Sequence, residues 1–319
     1  MSTVFTIGEA LIDWIPEQRG VELKAVGGFS RAAGGAPANV ASAVSRLGGS
    51  SAFIGKLGED AFGDFLVETL AEAGVDVTRV LRTREANTAM AFVSLKADGN
   101  RDFSFYRNPS ADMLLEKDEI GDWFEPGDLL HFCSVDLIEA PVKYAHREAI
   151  SRCREAGGIV SFDPNVRLPL WKSPEQCRQA ILEFLPMAHL VKISDEELTF
   201  ITGISEEEEA LKSLFAGDVR HVIYTRGAAG ATWLSKDFRV EVPGHAVSVI
   251  DTTGAGDAFI GSLLYGVQRQ PDFLGGIEAQ TARELLAFAN AAAAITTTRP
   301  GAIAALPTAA EVNDLLAAK

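Results

Sequence analysis

Short apolar runs alternating with helix-period segments constrain this chain more than any other feature. VFTIG (4–8) reads as a buried strand and PANVASAVSRLG (37–48) as an amphipathic helix ending at a glycine. SSAFIGKLG follows as a second strand and AFGDFLVETLAEAG (61–74) as a second helix. This order implies a parallel sheet with helices on its faces, because parallel neighbours need a crossover connection. The alternation resumes at DLLHFCS from residue 128, with a helix near 140–156, GIVSFDPN, HLVKIS (189–194) and RHVIYTRG (220–227). ATWLSKDFRVEVPG (231–244) has the pattern of a hairpin, and TARELLAFANAAAAITTT (281–298) that of a long helix closed by Arg299-Pro300-Gly301. Residues 21–35 and 88–107 break the pattern: they alternate apolar with polar residues, the second around the turn signal ADGN. They are expected to be antiparallel strands inserted at about 14–35 and 88–112 as a small lid over a site. Without a repeat or a linker, residues 1–319 are expected to form one α/β domain.

Charge narrows the partners. A formal net charge of −15 argues against nucleic acid or an anionic membrane as a partner, since both require a basic surface. A nucleotide would have to be held locally, by a few cations, backbone amides and a divalent metal. Cys133, Cys153 and Cys177 are odd in number and lack CxxC spacing, so they read as reduced packing thiols of a cytoplasmic protein. The five histidines form no zinc-ligand pattern. MSTVFTIGEALIDW lacks the basic start and long apolar run of a signal peptide, and no run approaches the roughly twenty apolar residues of a membrane span.

The chain contains neither GxxxxGK[ST] nor GxGxxG after its first strand, so a nucleotide would bind by another route. The candidate is DTTGAGD (251–257), which runs into AFIGSLLYGVQ with Phe259, Ile260, Leu263, Leu264 and Val267 at helical spacing. Gly254 and Gly256 let the backbone approach a phosphate, and the N–H groups of residues 254–257 at a helix start form an anion hole. Asp257 could then face an acceptor hydroxyl as a base, or it could simply cap the helix. A second segment, Gly34-Gly35-Ala36-Pro37-Ala38-Asn39, sets paired glycines before a helix and an amide on its first turns, suited to a polyol.

GGAPANVA and DTTGAGDAF together resemble the two signature motifs of the ribokinase-like sugar kinases, the phosphofructokinase B family. The likeness runs in order over the chain through GEALIDW, FIGKLGEDAFG, DPNVR, KISDEE, YTRG and ANAAAA followed by TRPGA. FYRNPSADMLL (105–115) and DPNVRLPLW (163–171) resemble fructokinase segments within it. The resemblance implies a three-layer α/β/α fold with a mainly parallel central sheet and a β lid. It also implies transfer of the ATP γ-phosphate, with Mg2+, to the 6-hydroxyl of D-fructose.

By position, Asp257 matches the family's catalytic base, and Gly254, Ala255 and Gly256 its anion hole. Asp13, Gly34, Gly35 and Asn39 match sugar contacts, and Arg107, Asn165 and Arg167 groups near the sugar or the phosphates. Thr225, Arg226 and Gly227 match the loop beneath the nucleotide, Asn290 an adenine-side position, and Lys192 ends a strand near the same cleft. Glu197 fits an Asn-x-x-Glu motif tied to magnesium through water, although Ser194 stands where many relatives have Asn. Asp251 and Thr253, with the loop around Arg299 and Gly301, match positions where many relatives hold a monovalent cation, which makes potassium a candidate. Relatives commonly dimerise through their lids, so a homodimer is expected. The alternatives are a kinase of aminoimidazole riboside, ribose or 2-keto-3-deoxygluconate, or a catalytically silent sugar-binding protein on the same fold. The run EEEE (206–209) reads only as a solvated helix face.

Overall fold

A computed structural model describes residues 2–18, 20–95, 101–270 and 272–318. The chain opens with β1 (Val4–Ile7), β2 (Leu11–Pro16), β3 (Phe29–Gly34), α1 (Ala36–Arg46), β4 (Ser51–Gly58), α2 (Ala61–Glu72) and β5 (Val80–Thr83). It continues through β6 (Met90–Leu95), β7 (Arg101–Tyr106), β8 (Leu129–Cys133), α3 (Pro141–Glu155), β9 (Ile159–Asp163), α4 (Pro174–Phe184) and β10 (Leu190–Ser194). The remainder is α5 (Asp195–Thr202), α6 (Glu207–Ser213), β11 (His221–Thr225), β12 (Ala231–Ser235), β13 (Arg239–Val242), α7 (Ala255–Val267), α8 (Ala279–Thr297) and α9 (Ala309–Ala317).

Nine strands form the main sheet in the order β13-β12-β11-β10-β9-β8-β1-β4-β5. Pairing is parallel from β11 to β5, and β12 and β13 add an antiparallel edge. The central strands are largely apolar because both sheet faces are covered. Successive residues divide between two cores, as the two-residue period of a strand requires. Phe5, Leu130, Val160, Val191 and Val222 pack with α3, α4, α5 and α6. Their neighbours Val4, Leu129, Ile159, Leu190 and Ile223 pack with α1, α7 and α8. The three layers are thus written in the alternation, and the fold is α/β with helices on both faces. Cys133, Cys153 and Cys177 are free and buried.

The smaller sheet has the order β3-β2-β6-β7. Its two hairpins are antiparallel, as expected, but they join through a parallel β2–β6 pair. Each hairpin leaves the main body on its first strand and returns on its second, so the two outgoing strands that meet run the same way. The sheet begins at Leu11, earlier than expected, and the ADGN turn lies outside the described residues. Trp14 stacks on Phe92 at 5.6 Å, and Phe29 and Tyr106 meet Phe92 edge-on at 5.3 and 5.2 Å, a cross-strand aromatic cluster that holds both hairpins together. The glutamate run is more engaged than a solvated face. Glu206 caps α6, Glu207 accepts from the Tyr224 hydroxyl at 2.8 Å, and Glu208 pairs with Arg239.

Candidate active site

The carboxyl ends of the parallel strands deliver the polar groups, where open α/β sheets bind ligands. β9 ends at Asp163, β10 carries Lys192 and ends at Ser194, and β11 ends at Thr225. Helix α7 arrives opposite them. Its N-cap is Gly254, in the left-handed region at φ 73°, and a Cβ there would stand 2.9 Å from the Ala302 Cβ. Asp257 lies in the first turn of α7 but does not cap it. Its Oδ2 instead accepts a 2.8 Å hydrogen bond from Asn39 Nδ2 on α1. Of the four amides expected to form the anion hole, that of Ala255 donates to the Thr252 carbonyl at 3.3 Å. The Gly256 and Asp257 amides belong to the helix turn that has no intrahelical acceptor.

Lys192 stands beside this turn, its Nζ 3.6 Å from where a Cβ on Gly256 would be. It is buried and donates to Asp163 Oδ2 at 2.8 Å. Burial opposes its charge, but Asp163, Glu197 and Asp257 outweigh it and hold the ammonium above the ordinary lysine range. The same partnership appears from the other side: burial raises Asp163 to about 6 although Lys192 pulls it down. Burial also raises Asp257, with Asn39, Arg167 and Lys192 opposing. Asp13, on β2, is pushed up to about 6 by burial and then by Asp257, against Arg167. Asp13, Asp257 and Arg167 therefore share one electrostatic neighbourhood. Gly34 makes room in it, because a Cβ on Gly34 would overlap the Asp13 carboxylate. Gly35, at φ 102°, brings the start of α1 against the Glu9 carbonyl.

Asn165 has a positive φ of 43° and donates its amide to Asp163 Oδ1 at 3.2 Å. Glu197 fastens the same loop: its Oε1 accepts from Val166 N at 2.7 Å, and its Oε2 from Ser194 N and Oγ at 3.0 and 2.8 Å. Ser194 is thus half of a capping box, a role its hydroxyl fills as well as an amide would. Asp251 accepts from Thr253 N and Oγ1 at 2.9 and 2.7 Å through Oδ1, and from Gly301 N at 2.9 Å through Oδ2. It ties the loop before α7 to the loop after α8.

The other expected site residues are placed differently. Arg107 is buried, with Nε and one Nη engaged by Asp112 and Asp136. Arg226 pairs with Glu241, and Thr225 Oγ1 donates to the Ile193 carbonyl at 3.4 Å. Gly227 has a positive φ of 49°. Asn290 is spent on the Val242 and Pro243 carbonyls at 3.1 and 3.3 Å. A cleft of about 460 Å³ lined by Ser42, Arg46, Phe65 and Ile303 includes none of Asp13, Asn39 or Asp257. The site is defined by convergent charge, not by that cavity. Sequence reasoning missed Asp163 and Glu9, although both stand in quoted motifs. Nothing local distinguishes a buried carboxylate from an exposed one at a strand end.

A three-layer sheet, a glycine-capped helix start beside a buried lysine, and a paired asparagine and aspartate under a β lid define a ribokinase-like phosphotransferase. Residues 1–309 match the pfkB family carbohydrate kinases. The chain is 47% identical to Fructokinase-2 of Oryza sativa subsp. japonica, over 98% of this chain and 93% of that one. A double-mutant fructokinase from Vibrio cholerae O395, in a fructose-, ADP- and potassium-bound form, superposes with a TM-score of 0.90 at 37% identity. The match covers 99% of this chain and 98% of that one. Aminoimidazole riboside kinase from Salmonella enterica, complexed with aminoimidazole riboside and an ATP analog, superposes at 0.87 with 32% identity, covering 99% of each chain. The chain belongs to the pfkB family of carbohydrate kinases: it is an enzyme that phosphorylates a sugar from ATP.

Proposed function

We propose that the acceptor is D-fructose and that the γ-phosphoryl group goes to its 6-hydroxyl. The observation that carries the chemistry is Asp257, half-buried, held by Asn39 and placed one residue from Gly256 beside Lys192. A carboxylate raised in this way is a better proton acceptor than an exposed one. Asp257 takes the hydroxyl proton as the bond to phosphorus forms, while the 254–257 turn and Lys192 face the charge on the transferring group. Asp13, Gly34, Gly35 and Asn39 orient the sugar, joined by Arg107, Asn165 and Arg167. Thr225, Arg226, Gly227 and Asn290 border the nucleotide.

Magnesium fits as a water-mediated partner of Glu197, whose two oxygens already accept three hydrogen bonds that fix the carboxylate. When bound with the nucleotide, it supplies charge neutralisation. The Asp251–Thr253 loop is the place for potassium. Ile15 and Tyr106 remain 40% and 63% exposed on the lid, which supports a homodimer formed there; the reading also takes the whole chain as one catalytic unit, working in the cytoplasm.

The riboside kinase likeness favours one second reading, a furanose-like riboside as acceptor. ADP release measured side by side on fructose, aminoimidazole riboside, ribose and 2-keto-3-deoxygluconate separates them. The highest kcat/KM is expected for fructose, and a riboside preferred over fructose removes the assignment. ADP release on none of the four would instead point to a different sugar as acceptor.

A further inference from the structure

The lid is fastened to the main sheet by a buried cluster with more negative than positive charge. Arg107, just beyond β7, meets Asp112 from the segment that follows and Asp136 from the turn after β8. Glu9, from the turn after β1, lies within the field of the same guanidinium. All four are buried: Glu9 is 3%, Arg107 9%, Asp112 2% and Asp136 1% exposed. Three carboxylates thus surround one guanidinium. Asp112 uses both oxygens, accepting from Arg107 through Oδ2 and from the Ser110 hydroxyl through Oδ1. Asp136 Oδ2 and Glu9 Oε2 are buried without a hydrogen-bond partner among the described residues. Leaving both as charged, unpartnered oxygens is expensive, and a single proton removes most of that penalty.

Glu9 links the cluster to the Gly34–Gly35 turn. Glu9 Oε1 accepts from the Ala36 amide at 3.1 Å, and Ala36 begins α1 directly after the Gly34–Gly35 turn. Three residues on, Asn39 holds Asp257.

We propose that Glu9 and Asp136 are positioning residues for phosphoryl transfer, which hold one proton between them and lock Arg107, and so the root of the lid, against the Gly34–Gly35 turn. The inference rests on the sugar-kinase reading and deepens it. Burial pushes Glu9 to about 7 and Asp136 well above the carboxylate range, with Arg107 opposing both. The groups facing the pair are Arg107 and Asp112 at the lid root and the Cys133 thiol on β8. Asp163 and Lys192 lie further along the strand ends, and Asp257 in the first turn of α7.

The test compares Glu9→Gln, Asp136→Asn and Glu9→Ala with wild type, using whichever sugar the wild type phosphorylates fastest. A wrong sugar assignment then changes the acceptor and not this experiment. The two amide variants mimic the protonated acids and are expected to keep the sugar KM within about threefold. Glu9→Ala, which releases the Ala36 amide, is expected to raise the sugar KM about tenfold with the ATP KM unchanged. Melting supplies a sugar-independent readout. The unfolded chain releases the Glu9 proton near its ordinary value of 4.5 and the folded chain near 7, so wild-type stability falls across that window. Asp13 and Asp163 titrate in the same window, so the Tm of Glu9→Gln should fall less steeply with rising pH than that of wild type. If Glu9→Ala does not fold, the amide variants and the melting curves still decide. A Glu9→Gln variant that fails to fold, raises the sugar KM as Glu9→Ala does, or melts in parallel with wild type overturns the proposal.

Discussion

On the proposed acceptor side of the cleft, Asp13, Asp163 and Asp257 carry carboxyls raised by burial, and each faces a cation or an amide. On the proposed nucleotide side, Arg226 and Asn290 are already spent on Glu241 and on the carbonyls of residues 242–243. The difference follows from what each side must do. A neutral sugar has to be oriented and deprotonated, which takes preorganised side chains. A triphosphate brings its own charge, and glycine backbone with one lysine suffices to meet it.

The largest test of this contrast is Asp257→Asn. It keeps the shape of the side chain but removes the proton acceptor, so kcat should fall by ~10²–10⁴ with the sugar KM nearly unchanged. Steady-state rates on fructose and Mg-ATP measure it, and full activity would remove Asp257 from the base role. Next is Lys192→Met, which strands Asp163 in a buried position. Breaking a buried pair from one side costs about 3–5 kcal/mol, and Asp163 would take up a proton rather than stay charged. Urea denaturation should show that loss, and adding Asp163→Asn should recover part of it. An unchanged midpoint would mean that the 2.8 Å pair contributes no net stability.

Most of this architecture is legible from short-range patterns. β1, β10, β11 and the helices α1, α2, α3 and α8 fall within two residues of their sequence readings, because strand and helix periods are local signals. The convergence of Asn39 and Asp257, 218 residues apart, is not a local signal, and only the family likeness joined them. The parallel β2–β6 pair escaped because hairpin signals specify the partner within a hairpin and not between hairpins. Arg107 shows the same limit. Its position at the lid root was readable, whereas its enclosure by Asp112, Asp136 and Glu9 depends on the ends of three other segments.

A smaller effect comes from pH. Asp13 is raised to about 6, so below that pH it holds a proton and accepts sugar hydroxyls poorly. The fructose KM should rise several-fold, on the scale of one weakened hydrogen bond, as pH drops from about 7 to 5. In Asp13→Asn the KM should already be raised and should not follow pH in this way; an identical acid limb in both would assign the titration elsewhere.

The smallest expected effect tests the nucleotide side. Arg226 makes an ion pair with Glu241 whose carboxylate is largely exposed, and such pairs contribute about 0.2–1 kcal/mol. One Nη of Arg226 is engaged by Glu241. Glu241 already offsets much of the Arg226 charge, so the energy gained at a phosphate is reduced by the pair in place. Arg226→Ala should therefore raise the ATP KM by only about two- to fivefold and leave the sugar KM and kcat untouched. A loss of a hundredfold or more would show that the guanidinium is a primary phosphate ligand. The nucleotide side would then depend on side chains as heavily as the acceptor side does.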